Sequence, residues 1–379
     1  MLVHSLILKD YRNYPSLELK LSKNINVFLG ANAQGKTNLI EAVYYASMGY
    51  SHRTRTDGEL ISWNHPNGML KMEFQRMNID QIFEFRFSRE KRRSILLNGH
   101  PIRPKELVGT INTILFSPED LFLIKGAPSG RRSFLDREIS QASPSYYQEL
   151  LQYNRILLQR NTLLKRIKER RAKESMLEPW DVQLLESATK LIRKRQESVK
   201  KINMLANLMQ RRISDNLENL SVSYEIRGFP EDDMTKDYTS WYNEALRMER
   251  EKDILRGSTS LGPHHDDLIL EVNGINLRSF GSQGQQRTGA LALKLAELEF
   301  LHSETGEYPI LLLDDVMSEL DQRRRKQLME FLRRERIQTF ITATDRAYFP
   351  KGLEGVFYEV KQGNVFRMEG DLWQNERRD

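Results

Sequence analysis

Apolar and polar positions follow three different rhythms along the chain. Leu2 to Leu8 alternates, and Ile25, Val27, Phe28 and Leu29 form a buried-type run ending at Gly30, so the first 30 residues predict strands. Thr37 to Met48 carries Leu39, Ile40, Val43 and Tyr44 at helical spacing. The order is therefore strand, Gly-rich turn, helix. Residues 69 to 97 hold two alternating runs, MLKMEFQRM and QIFEFRFSR, then SILLNGH with an Asn98-Gly99 turn, which predicts an antiparallel β lobe.

From about Ser143 to Asn219 there is no Gly, and Leu, Lys, Arg, Glu and Gln dominate. Leu184, Ala188, Leu191, Val199, Ile202, Leu205, Met209 and Ile213 recur at threes and fours, and Pro179 suits a helix start. Two helices of roughly 30 to 40 residues turning near Pro179-Trp180 are expected, as a short arm without sustained heptads. The α/β pattern then resumes. Leu268 to Val272 and Ile275 to Leu277 flank Asn273-Gly274 as a hairpin, and a helix is predicted from about Gln283 to Leu301. Ile310 to Leu313 and Phe340 to Ala343 read as buried strands around a helix at Gln322 to Glu335. The expected fold is α/β with an antiparallel β lobe, a discontinuous head of residues 1–142 and 256–379, and an inserted helical arm of residues 143–255. No internal repeat stands out, and the charged tail Asn375 to Asp379 is the one biased segment.

Chemistry enters at the first turn. Gly30-Ala31-Asn32-Ala33-Gln34-Gly35-Lys36-Thr37 fits G-x-x-x-x-G-K-[ST], followed by Asn38. Its glycines let the backbone wrap a phosphate, Lys36 reaches the terminal phosphates, and Thr37 offers a hydroxyl to Mg²⁺. Such a site needs a carboxylate at the end of a neighbouring buried strand. Ile310 to Leu313 leads into Asp314, the metal candidate, and Asp315, the candidate for polarising the attacking water.

Ser282-Gln283-Gly284-Gln285-Gln286 opens the next apolar helix and resembles the signature motif of ABC-type ATPases, while Ser318-Glu-Leu-Asp321 resembles their D-loop. The resemblance implies a P-loop ABC-type ATPase head in which one subunit's signature completes the ATP site of another, so that ATP joins a head-to-tail homodimer. Leu8 to Tyr14 resembles the opening strand and turn of the SMC branch, where the Arg12-Asn13 pair lies by the nucleotide. Pro118 to Asp136, and Leu312 to Asp321, are similar to segments of the RecF family. That resemblance covers essentially the whole chain. It implies ATP-dependent DNA binding in recombinational repair and replication restart, work with RecR and RecO to promote RecA loading at gaps, SOS induction, and a place in the cytoplasm at the nucleoid. Two departures from the wider ABC pattern, Asp315 where Glu is usual and Thr344 where a His is usual, predict slow hydrolysis.

Composition narrows the field. The 379 residues contain no cysteine, which excludes disulfides, thiolate metal sites and cysteine nucleophiles. The opening segment carries charges too early for a signal peptide, and no stretch approaches the roughly 18 apolar residues of a membrane span, so a cytoplasmic protein is expected. The net charge is +6, but residues 151–215 hold 16 Lys+Arg against 7 Asp+Glu, a net of +9, leaving −3 for the rest. The arm is therefore the first candidate for sequence-nonspecific DNA contact, through Lys165, Arg166, Arg170, Arg171, Arg193, Lys194 and Arg195. Arg53 and Arg55 in the loop after the P-loop helix are further candidates, for DNA or for ATP, as is the β-lobe cluster Arg89, Lys91, Arg92 and Arg93.

His264-His265-Asp266-Asp267 reads as a polar lead-in to the following strand rather than a metal site. Trp63, Trp180, Trp241 and Trp373 are scattered and read as packing residues. A transporter-type ATPase subunit would share the P-loop, signature and D-loop. A non-hydrolysing assembly factor would share them too, and would tolerate Asp315 and Thr344.

Overall fold

The computed structural model describes residues 1–230, 237–335, 337–350 and 352–368; Trp373 and the tail Asn375 to Asp379 lie outside the described residues. The chain divides into two compact units, Met1–Asp120 with Leu301–Asp379, and Leu121–Phe300. These limits differ from the expected ones: residues 121–142 and 256–300, read as part of the head, cluster with the helical segment. Among the described residues no helix is long and apolar enough to cross a membrane.

The first unit holds two six-stranded sheets. In one, Ile25–Leu29, Thr339–Ala343 and Ile310–Asp314 lie side by side and parallel, flanked by Thr113–Phe116 and Gly355–Lys361. All three central strands are buried along their whole length, which is why they read as unbroken apolar runs. Their carboxyl ends therefore open at one edge, where ligands of open α/β sheets bind. The other sheet is antiparallel, and its strands Asn67–Arg76 and Ile79–Ser88 pair Met69 with Arg86 and Phe74 with Gln81. Phe74, Phe83, Phe85 and Phe87 all point inward, and the rings of Phe74 and Phe83 stack at 4.9 Å. Truncating such a ring to Ala typically costs about 3–5 kcal/mol.

In the second unit, helices Pro144–Lys168 and Glu178–Ile213 form the expected pair. Ser143 caps the first by accepting from the Tyr146 amide, and Pro179 sits in the opening turn of the second, where its missing N–H costs nothing. Leu163, Leu164, Ile167 and Leu177 pack together with Trp180 at the turn. Strand Leu220–Glu225 pairs with Asp267–Val272, and Leu277 starts a short helix, Leu277–Phe280, rather than ending the hairpin.

Two tryptophans pack as expected, Trp180 at the turn and Trp241 against Phe229 at 5.2 Å. Trp63 does not: it is 89% exposed, on the turn that precedes strand Asn67–Arg76.

Candidate functional site

The P-loop joins Ile25–Leu29 to helix Lys36–Met48. Gly35 has φ +115°, and a Cβ there would strike Asn13 Nδ2 at 2.5 Å and the Tyr14 hydroxyl at 2.9 Å, so the second glycine is required both by torsion and by space. At Gly30 a Cβ would meet the carbonyl oxygen of Val360 at 2.4 Å. The loop is clamped from outside. Asn13 Nδ2 donates to the Gln34 carbonyl at 3.0 Å, Tyr14 donates to the Gly35 carbonyl at 3.0 Å, and the Gln362 amide donates to Gln34 Oε1 at 2.8 Å. Ala33 adopts φ +63°, while Ala31 and Asn32 lie exposed at the rim. The helix behind carries no acidic residue in its first turn, leaving its free amides and positive dipole end for an anion.

Lys36 is buried, and its ammonium donates to the carbonyls of Gly30 at 2.7 Å and Ala31 at 2.8 Å. Burial pulls its pKa down, opposed by the charges of Asp315 and Asp314. Thr37 Oγ1 donates to Asp314 Oδ1 at 2.9 Å. Register pairs Asp314 with Thr342 on the adjacent strand, and the Thr342 hydroxyl donates to the same Oδ1 at 2.7 Å. Thr342 Oγ1 also accepts the Asp315 amide at 2.8 Å. Asp315 follows in a left-handed conformation, φ +54°. Its Oδ1 is buried and has no hydrogen-bond partner among the described residues. Burial raises its pKa above the ordinary carboxylate value; Lys36 acts against the rise and Asp314 adds to it.

Whether this set suits the groups it would hold can be tested on its chemistry. Thr37 and Asp314 offer one hydroxyl and one carboxylate, the sparse protein share that Mg²⁺ takes when phosphate and water complete its shell. Among the described residues no group of three or more His, Asp or Glu side chains could hold a metal without such outside ligands. The orphaned Asp315 oxygen beside Lys36 leaves one acceptor ready for a water or hydroxyl. The residues fit a nucleotide with its magnesium.

Two residues around the loop carry no sequence signal. Glu41 is fully buried in the P-loop helix; it receives both Nε and Nη2 of Arg12, at 2.8 and 2.6 Å, and the Ser51 hydroxyl at 2.5 Å. Arg12, expected at the nucleotide, thus spends its fork on Glu41, whereas Asn13 touches the loop directly and also accepts from Asn38 at 2.8 Å. Arg53 donates to Asn38 Oδ1 at 2.8 Å, which sets it at the P-loop helix; Arg55 is exposed. The other unsignalled residue is Thr342, one of two threonines within a buried strand.

In the second unit, Ser282 and Gln285 form a reciprocal capping box at the start of helix Gln283–Thr305: the Ser282 hydroxyl accepts the Gln285 amide at 3.2 Å, and Gln285 Oε1 accepts the Ser282 amide at 3.1 Å. Ser282, Gln283 and Gly284 are exposed. Gln286 is not: it is buried and donates to the Leu277 carbonyl at 2.9 Å, so its place among the outward signature residues is corrected to an internal brace. In the first unit, Ser318 donates to the Asp315 carbonyl at 2.7 Å, and Asp321 caps the next helix by accepting the Arg324 amide at 2.8 Å.

The basic arm divides in the same way. Lys165, Arg166, Arg170, Arg171 and Arg193 are exposed and Lys194 is half-buried. Arg195 is 2% exposed, with Nη2 at 2.8 Å from Asp136 Oδ1 and Nη1 donating to the Pro263 carbonyl at 2.6 Å. It is a buried structural ion, and its candidacy for DNA is withdrawn. The paired histidines are also internal to the fold. His264 Nδ1 lies 2.5 Å from the Tyr153 hydroxyl and Nε2 lies 3.3 Å from the Thr259 carbonyl, an arrangement that fits the neutral ring.

Comparison with known proteins gives a consistent assignment. The RecF/RecN/SMC N terminal domain family matches residues 2–364. The "DNA replication and repair protein RecF" of Alkaliphilus oremlandii (strain OhILAs) is 47% identical over 349 residues, covering 91% of this chain and 93% of the relative. Two solved structures of the recombination mediator protein RecF in the RecFOR pathway superpose over 97% of this chain and 98% of theirs. One, RecF-ATPrS, has a TM-score of 0.88 at 35% identity. The other, RecF-ATP, has 0.87 at 34%.

Proposed function

The chain belongs to the RecF family, and from that premise we propose that it is an ATP-dependent DNA-binding protein of replication and repair whose nucleotide joins two copies head to tail. The observation that carries the reading is the Asp314–Asp315 pair: one carboxylate braced by Thr37 and Thr342, the next with a buried, unpartnered oxygen beside Lys36. Two adjacent acids in different environments are the pattern that separates a metal-holding role from a water-polarising one.

In this reading Lys36, Thr37 and the loop amides bind the phosphates, and Asp314 and Thr37 hold Mg²⁺, which supplies neutralisation of the phosphate charge when bound. Asp315 orients the attacking water and accepts its proton at Oδ1; the raised pKa makes it a better base than an exposed Asp, while its short side chain limits its reach. Hydrolysis is slow and DNA-stimulated, and resets the dimer. Ser282, Gln283, Gly284 and Gln285 present hydroxyl, amide and helix N-terminal donors to the phosphates held by the other copy. Exposed Lys165, Arg166, Arg170, Arg171 and Arg193 take DNA by its backbone, without base reading. Together with RecR and RecO the dimer promotes RecA loading at gaps, and through it SOS induction, in the cytoplasm at the nucleoid.

Phosphate release measured with saturating ATP, alone and with gapped duplex, tests this. A slow rate that rises on DNA is expected. No release under any condition would leave the non-hydrolysing assembly factor instead, and rapid turnover without DNA would contradict ATP acting as a dimerisation switch.

A further inference from the structure

One face of the antiparallel lobe has features that the ATP site does not use. Register places Lys9, Met69, Arg86 and Ser94 in one row across four strands. Because alternate residues on each strand point to opposite faces, this row stands away from the core lined by Leu8, Leu70, Phe85 and Phe87. A cleft of about 550 Å³ opens here, lined by those residues together with Lys91 and Arg92 from the following loop. Lys9, Lys91 and Arg92 are exposed, and among the described residues none of the three has a carboxylate in ion-pair reach. Arg86 is held by Glu84 at 2.6 Å, and Asp10, the acid at the cleft wall, faces His65 at 3.2 Å. The cleft is a net-positive surface.

The turn that carries Trp63 adjoins the cleft at Asp10. The turn Ser62 to His65 closes through the His65 amide on the Ser62 carbonyl at 3.2 Å, with Asn64 at φ +65°, a torsion Asn tolerates. It is fastened to the cleft wall by the Ser62 amide on the Asp10 carbonyl at 2.8 Å, and from below by Arg89, which donates to the His65 carbonyl at 2.9 Å and to that of Ile61 at 3.3 Å. A tied-down turn is thus holding an indole 89% exposed. An indole presented on a fastened turn is a ready surface for a base to stack on.

We infer that this face is a binding site for unpaired, single-stranded nucleic acid, with one base stacked on Trp63 and neighbouring phosphates on Lys9, Lys91 and Arg92. A rigidly presented indole beside unpaired cations is what a sequence-tolerant single-strand site requires: stacking recognises any base, and the cations follow the backbone. Continuous duplex keeps its bases stacked internally and offers Trp63 no exposed face. The site rests on the DNA-binding reading above, and adds to it a location on the chain.

Anisotropy of a fluorescein-labelled oligothymidylate and of a closed circular duplex competitor, with the full chain and ATP over a salt series, tests it. Trp63→Ala should weaken oligothymidylate binding about tenfold, within the range seen when a base-stacking aromatic is removed, with duplex competition unchanged. Trp63→Phe should recover most of the loss. Lys91→Ala/Arg92→Ala should lower the slope of log affinity against log salt by about 1.4, at about 0.7 per single-strand phosphate contact. All three positions are on the surface, and unchanged melting temperatures would show the variants folded. Oligothymidylate binding that is normal in both Trp63→Ala and the double variant overturns the site, as does loss in the double variant alone, which leaves no stacking. If the unmodified chain binds neither DNA, the DNA-binding reading itself fails.

Discussion

The hydroxyl of Thr342 donates to Asp314 Oδ1 at 2.7 Å from the neighbouring parallel strand, and the same oxygen of Thr342 accepts the backbone amide of Asp315 at 2.8 Å. One buried hydroxyl therefore fixes both acids of the site. Thr342→Val keeps the shape and removes the bonds, leaving a buried carboxylate short of one donor and an amide without an acceptor. The expected outcome is a loss of about 1–3 kcal/mol in chemical denaturation. ATP turnover should fall by more than nucleotide affinity does, because Lys36 and the loop are untouched; turnover and equilibrium binding on the same preparation check this.

Asp315→Asn should retain ATP and still dimerise, while losing on the order of 10²–10⁴ in hydrolysis, the usual span for a removed general base. Lys36→Ala should lose both binding and dimerisation.

His264 should make the fold acid-sensitive. Burial first, and then the neighbouring His265, hold its pKa at about 3, below the ordinary 6.5. A histidine lowered in the folded state contributes stability that is present above 6.5 and is lost as pH falls from there towards 3. At pH 5 the loss is about 2 kcal/mol, from 1.5 pH units at about 1.4 kcal/mol each. Asp266, raised by burial to about 6, works in the opposite direction, so the variant must be compared with the parent at each pH. His264→Gln should be less stable than the parent at pH 7 and close that gap by pH 5. Parallel melting curves at both pH values would refute the coupling.

Arg195 and its neighbour Arg193 should separate stability from DNA contact. Removing the buried Arg195 strands Asp136, and a broken buried ion pair typically costs about 3–5 kcal/mol. Arg195→Ala should lower the melting temperature sharply. Arg193→Ala should leave it in place and reduce the salt slope of DNA binding by about one. The reverse pattern would restore Arg195 to the DNA surface.

These residues also show what a sequence displays. The P-loop and Asp314-Asp315 were legible because their chemistry is contiguous: glycines, lysine and threonine in eight positions, and two acids at the end of an apolar run. The helix pair was legible from its periodicity, and the β lobe from alternation with Asn-Gly turns. Thr342 and Glu41 were not, because a Thr in a strand and a Glu in a helix are ordinary until tertiary pairing sets one against Asp314 and the other against Arg12. Arg195 lay within a charge run that reads as solvated; its partner Asp136 is on another helix, and no local pattern announces it. Trp63 was misread for the opposite reason, since an apolar ring suggests packing and only the structure shows its turn facing water.

Sedimentation velocity with and without saturating ATP most directly tests the claim that nucleotide joins two copies through Lys36 on one and Ser282 on the other. The unmodified chain should sediment as a monomer alone and as a dimer with ATP. Lys36→Ala and Ser282→Arg should each stay monomeric, Ser282→Arg while still binding ATP. A chain that remains monomeric at saturating ATP, or that dimerises equally without it, would contradict the account.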